Sequence, residues 1–254
     1  VRPSGEPEVS VLFRCLARSY LVGANFNTRG MQNIGLSYAM DPGLVAIHVQ
    51  GKDLYDARRR YLRHYNTHPF WTPLLIGIFL SLEIKIAKNQ LPPGTLENVR
   101  QTTIYTLSAI GDSVFGGGVL VLWALATACM IVTGHGVAAV LTGGVLLLSL
   151  QAFKALTFFA GLREGFRFLP RLKRFNLINW GRRIKLVNAL LTVLFWYLVW
   201  PEPVRWTGWV LGVGALCLAT WLVLKTRLSR GLALIFLLAG YAVAPFVLRW
   251  LETL

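Results

Sequence analysis

The stretch RHYNTHPFW, residues 63–71, decides how the chain is read. A basic, helix-like run stops there and an apolar run begins, with Pro69 and Pro73 at the junction. A proline locks φ and lacks an N–H, so it breaks a helix interior. From Pro69 to Ile86 the apolar run is short, and Glu83 and Lys85 interrupt it again, so it reads as a re-entrant segment. Non-helical backbone at membrane depth survives only where protein buries it or where it lines a cavity. Asn66, Thr67 and His68 then form a row of polar side chains at the mouth of a broken segment. Amides and hydroxyls suit a neutral polyol, and an aromatic neighbour packs on a sugar face. The plain alternative is a turn in which Asn66 and Thr67 satisfy their own backbone before a proline.

Composition places the segment in a membrane. The chain is 55% hydrophobic over 254 residues and carries nine tryptophans, beyond the usual soluble range. A net charge of +15 suggests nucleic acid binding until its placement is considered. Arg163, Arg167, Arg171, Lys173, Arg174, Arg182, Arg183 and Lys185 crowd between two apolar runs with Glu164 alone against them. That is the pattern of a cytoplasmic loop facing anionic lipid, with no nucleic acid partner. Cys15, Cys129 and Cys217 are far apart and mostly in apolar surroundings, so they read as packing residues. The run VSVLFRCLARSYLV (9–22) is broken by Arg14 and Arg18, which a signal-peptide core would not tolerate. The N-terminus is expected in the cytoplasm.

Two basic amphipathic helices are expected before the junction. Residues 10–22 take Ser10 as cap and Leu12, Phe13, Leu16 and Tyr20 as one face, with Arg14 and Arg18 opposite. Residues 52–65 place Leu54, Ala57, Tyr61 and Tyr65 on one face, and Arg58, Arg59, Arg60 and Arg63 elsewhere. Such helices lie in the membrane interface. Candidate spans are 113–133, 137–160, 186–200, 205–224 and 231–248. Basic residues are denser in KTRLSR (225–230) than in PEPVR (201–205), and Trp196, Trp200, Trp206 and Trp209 gather around the latter, which places it outside. The expected fold class is an all-α integral membrane protein: interfacial N-terminal helices, a re-entrant segment and about five spans. A single domain, 1–254, would comprise cytoplasm-facing helices (1–66), the re-entrant segment and first spans (67–161), a basic cytoplasmic loop (162–185) and C-terminal spans (186–254).

Two further features have competing readings. Asp112, before Ser113 and Val114, is placed to cap a helix; alternatively Gly111, Asp112 and the glycine triplet that follows form a broken helix facing a substrate. Lys154 sits in an otherwise uncharged run, where it is either a functional charge or a snorkelling one. GxSxG, P-loop and HExxH patterns are missing, and no paired carboxylates lie in sequence reach. His48, His64, His68 and His135 lack metal-ligand spacing as a set, and Pro69 disfavours a His64–His68 helical pair. No catalytic residue, metal or cofactor is implied.

Two segments resemble the IID subunit of mannose-family sugar phosphotransferase systems of bacteria. RSYLVGANFNTRGMQNIGLSYAM (18–40) is similar to that family's N-terminal block, and RHYNTHPF (63–70) to its NTxPF motif. IGDSVFGG (110–117) is similar to the GDPxFW region, and FKALTFFAGLREGF (153–166) puts Lys154 at a basic position with Gly161 and Gly165 in register. The resemblance implies a subunit in the bacterial inner membrane that conducts a hexose-type sugar with a IIC partner. A cytoplasmic IIAB component would supply phosphoryl groups through histidines this chain lacks, so the assembly would be a hetero-oligomer, with anionic lipids around it. Carried over by position, the resemblance implies sugar contacts from Phe26, Asn27 and Asn66, with Gln32, Thr67 and His68 behind them. The chain departs from the family pattern at Arg29, Gly30 and Ser113, and PEPVR replaces a larger outer insertion. Two alternatives stay open: a non-conducting scaffold subunit, and a membrane enzyme using His64 and His68 as acid and base.

Overall fold

The computed structural model describes residues 7–48, 51–200 and 206–226, with positions 231, 232, 235 and 239 beyond them. Contacts divide the chain into two units, Val1–Leu198 and Val199–Leu254. The first holds α1 (Val9–Ser19), α2 (Asn33–Ile47), α3 (Lys52–Tyr61), α4 (Thr72–Ala87), α5 (Gly94–Gly111), a π-helix (Asp112–Val119), α6 (Leu120–Val132), α7 (Gly136–Glu164), α8 (Phe168–Arg174) and α9 (Leu177–Val199). The second contains α10 (Trp206–Thr226). The expected span 231–248 and the segment PEPVR lie outside the described residues. Pairing between extended segments is limited, among the described residues, to isolated bridges at Asn27–Met31 and Met31–Tyr65.

The core is built on α4, whose first twelve residues, Thr72–Glu83, are all buried. This corrects the expectation of broken backbone from 69 to 86. Pro73 falls in the first turn, where the missing N–H removes no intrahelical bond. α4 packs most extensively on α7, and two glycines set the approach. A Cβ on Gly77 would stand 2.1 Å from the Phe158 carbonyl oxygen, and one on Gly161 would stand 2.6 Å from that of Leu74. Backbones this close exclude any larger residue at either position.

Thr103–Val132 and Gly136–Arg174 are long and apolar enough to cross a membrane. They are joined by the short turn 133–135 and α6 packs on α7, so they form a helical hairpin. Their apolar windows are mostly exposed, unlike α4, so sequence hydropathy does not distinguish the outer pair from the inner core helix. The basic stretch 162–185 is itself helical, running through a 3-10 turn and α8 into α9.

The N-terminal helices pack more tightly than an interfacial helix needs. α3 buries Leu54, Ala57 and Tyr61 as its periodicity requires. α1 buries Val11, Leu12, Cys15, Leu16 and Ser19, while Phe13 and Tyr20 are exposed. The expected face is therefore rotated, because α1 packs chiefly against α2 and Phe13 turns edge-on to Phe159 of α7. Ser10 is not the cap either: Glu8 occupies that position and makes no side-chain bond there.

Candidate functional site

Two loops meet beneath α4. In the first, Asn27 organises residues 26–33: its Oδ1 accepts the amides of Arg29 and Gly30 at 3.2 and 2.7 Å, and its Nδ2 donates to Met31 O and Asn33 Oδ1 at 3.1 and 2.9 Å. Two donors and two acceptor positions are the whole capacity of an asparagine amide. Met31 is held at φ 59, a left-handed conformation uncommon outside glycine, by its bridges to Asn27 and Tyr65. The second loop is stitched to the first through Gln32. Its backbone amide donates to Tyr65 O at 2.8 Å and its Oε1 accepts the Thr67 amide at 3.2 Å.

These bonds separate the candidate residues into two groups. Asn27 and Gln32 hold the loops together, and Asn27 has no bonding capacity left over. Asn66 is half-buried, and among the described residues nothing in the chain bonds its amide. Thr67 is 2% exposed and its hydroxyl has no partner among the described residues. The indole Nε1 of fully buried Trp71 is likewise unpartnered. A buried polar group left unsatisfied costs about 1–3 kcal/mol, and Thr67 and Trp71 carry two such groups four residues apart. Phe26, at the start of the first loop, is 58% exposed.

Beyond the loops, His68 and Trp71 run into the glycine-rich π-helix. The His68 ring stacks at 5.4 Å on Phe70 and 5.5 Å on Phe115; Trp71 meets Phe115 and Phe153 edge-on at 5.4 and 5.3 Å. Gly111 explains the closeness: a Cβ there would lie 2.3 Å from His68 Cβ and 2.8 Å from Trp71 Cδ1. His68 Nδ1 accepts the Phe70 amide at 3.4 Å, which leaves the proton of the neutral ring on Nε2. Burial holds the His68 pKa below its ordinary value; nearby Asp112 opposes this and Lys154 adds to it. Lys154 sits between two aromatic rings. Its Nζ lies 4.2 Å from the centroid of Tyr20 and 4.9 Å from that of Phe70, a cation–π cage that ties the N-terminal segment to α7.

The expected cap at Asp112 is absent. Its backbone is helical (φ −60, ψ −40) and the helix runs on without interruption. What changes is the winding, from α to π over 112–119, an irregularity that is rare and frequent at functional sites. α9 fastens it there: Lys185 Nζ donates to Ser113 Oγ at 2.9 Å and Asn188 Nδ2 donates to Gly118 O at 3.0 Å. The sequence points to Lys185 only as a basic loop residue and does not single out Asn188. His64 and His68 are not a pair, since His64 stacks on Tyr105 while His68 stacks on Phe70 and Phe115.

A second group escaped sequence reasoning, which counted Glu83 as a break. Glu83 is fully buried and accepts from His48 Nε2 (2.9 Å), Arg60 Nη2 and Nε (2.7 and 3.2 Å) and Tyr61 OH (2.9 Å). Burial alone would raise its pKa; these donors outweigh burial and hold it below the ordinary carboxylate value. The signal was a carboxylate in an apolar run within reach of an arginine-rich helix. It anchors α3 and the end of α2 to α4 and lies apart from the loops.

The profile of the PTS system mannose/fructose/sorbose family IID component matches residues 8–183. The chain is 25% identical over 157 residues to the fructose permease IID component of Bacillus subtilis, which covers 61% of this chain and 55% of that protein. It is 27% identical over 119 residues to the mannose-specific EIID component of Escherichia coli K12, covering 46% and 42% respectively. The match thus spans about half the length of these curated relatives. Two solved structures share the fold. One, titled as the structure of a membrane protein, gives a TM-score of 0.75 at 19% identity over 94% of this chain and 98% of that one. The other, a cryo-EM structure of the mannose transporter ManYZ with microcin E492, gives 0.57 at 18% identity over 93% and 94%. The chain belongs to the mannose/fructose/sorbose family of PTS IID components.

Proposed function

We propose that this chain is one half of a sugar-conducting pair in the bacterial inner membrane, working with a IIC subunit and delivering a hexose-type sugar to cytoplasmic IIAB for phosphorylation. The family membership supports the class. The observation that carries the site is the buried, unpartnered Thr67 hydroxyl on the loop that Gln32 ties to residues 26–33. In this reading the hydroxyl, the Trp71 Nε1 and the Asn66 amide exchange hydrogen bonds with a neutral sugar, and Phe26 supplies an aromatic face. Asn27 and Gln32 position the loops. His68 and caged Lys154 stand beside these groups, and Gly111 and Asp112 lead into the π winding. Phosphoryl chemistry resides on the partner.

Charge placement supports an orientation with the open end of the hairpin, rich in Arg and Lys at 163–185, in the cytoplasm and the uncharged turn 133–135 outside. The chain then passes the membrane several times, about five on apolar length, with its N-terminal helices on the cytoplasmic side. Uptake of labelled hexose into vesicles holding this chain with its IIC and IIAB partners tests the reading. Asn66→Ala and Trp71→Phe should each cut uptake several-fold while the complex still assembles. Uptake equal to wild type in both would leave the chain as a non-conducting scaffold.

A further inference from the structure

Away from the loops, a cavity of about 900 Å³ opens at the end of the hairpin opposite the turn. Its floor is apolar, made by Leu107 and Ile110 of α5 with Phe166 and Leu172, and its lining includes Arg167 and Lys173. Among the described residues no carboxylate pairs with either cation. The neighbouring Arg171, by contrast, is taken by Glu164. We infer that this cavity binds an anionic phospholipid, its acyl chain over the apolar floor and its phosphate between Arg167 and Lys173.

Three observations select this occupant. The first is depth. At about 1.5 Å per residue the 29 residues of α7 (Gly136–Glu164) span about 43 Å, the thickness of a bilayer including its headgroups, which places Phe166 and the cations that follow α7 at the headgroup boundary. The second is the surface beside the mouth, where Phe175, Ile178 and Trp180 are exposed and Arg183 lies 5.3 Å from the Trp180 ring centroid. Exposed aromatic residues among arginines are the mark of a membrane–water boundary. The third is the lining itself: an apolar volume of this size joined to two positive charges without a carboxylate partner among the described residues matches an amphiphilic anion. A free phosphate would use the charges and leave the floor bare. The inference needs only a membrane setting and stands apart from the sugar site.

Native mass spectrometry of the full chain in detergent, titrated with phosphatidylglycerol, phosphatidylcholine and inorganic phosphate in turn, tests it. Wild type should retain phosphatidylglycerol well above phosphatidylcholine. The Arg167→Gln/Lys173→Gln variant, altered only at exposed side chains, should bind it about thirtyfold more weakly, the loss expected for two headgroup cations. Leu107→Trp should fill the floor and weaken the lipid while leaving inorganic phosphate unchanged. Should Leu107→Trp fail to fold, the exposed double variant carries the test by itself. Equal retention of the two lipids, an unaffected double variant, or full competition by inorganic phosphate would each overturn the inference. So would exclusion of lipid by added IIC subunit, which would make the cavity a protein contact.

Discussion

Replacing Glu83 by glutamine keeps the volume of the side chain and removes its charge, which makes it a clean probe of the packing between α3 and α4. Four donor contacts converge on the carboxylate, from His48, Arg60 twice, and Tyr61. Glutamine retains one acceptor oxygen and turns an NH₂ toward groups that are themselves donors. Removing one partner of a buried ion pair costs about 3–5 kcal/mol because the other charge is stranded. The Arg60 side chain keeps 17% of its exposure, so water recovers part of the penalty and the lower end, about 3 kcal/mol, is expected. For a chain of this size that corresponds to a fall in melting temperature of roughly 6–12 °C, read by tryptophan fluorescence during heating in detergent. An Arg60→Leu/Glu83→Leu variant, with neither charge, should lose less than Glu83→Gln. If Glu83→Gln melted within about 2 °C of wild type, the ion pair would not hold α3 to α4 and the argument would be wrong.

Other outcomes follow from the same geometry. Gly111→Val forces two methyl groups into His68 and Trp71 and should cost about 1–3 kcal/mol by overpacking, with a matching fall in melting temperature. The Glu83 carboxyl titrates below its unfolded value near 4.5, so its stabilising effect is complete above that pH and is lost as pH falls through the lower folded pKa. His68, also depressed, acts in the same direction, its contribution intact above the ordinary imidazole value of 6.5 and lost on acidification. Melting temperature should therefore fall on acidification below pH 6.5 and fall further below pH 4.5, and a flat profile would contradict both assignments. Cys15 is fully buried and its pKa is pushed up to about 11, so at pH 8 maleimide should modify it only after the chain is unfolded. Lys154→Met should loosen the N-terminal segment from α7, seen as faster amide exchange around Tyr20, and unchanged exchange would remove the cation–π cage from the account.

How much of this was legible depends on whether a residue's partner is near it in sequence. The all-helical character and the hairpin followed from hydropathy and length, which act locally. The α3 face followed from period alone, because Leu54, Ala57 and Tyr61 meet one protein surface. In α1 the same reasoning misplaced Phe13 and Tyr20: an aromatic ring is equally apolar against lipid, protein or a lysine cage, and only the packing partner decides. Glu83 was misjudged for a like reason, its donors lying 22 to 35 residues away. The row 66–68, Gly111 and Lys154 are three separate features of the sequence, and the structure brings His68 to Gly111 and to the charge of Lys154. The resemblance implies a sugar contact from Asn27, and its four hydrogen bonds within the loop depend on partners that the sequence does not name. The π winding at 112–119 could not be read, since Lys185 and Asn188 fasten it from 70 or more positions along the chain.

The Thr67→Val substitution tests the central claim most directly, because stability and sugar binding should move in opposite directions. Removing a buried hydroxyl without a partner should stabilise the chain by about 1 kcal/mol or more, raising the melting temperature by a few degrees. Hexose affinity of the assembled complex should fall, by the worth of one hydrogen bond, about two- to tenfold. A variant that melts lower, or that binds sugar as wild type does, would show that this hydroxyl serves the fold and that the sugar passes elsewhere.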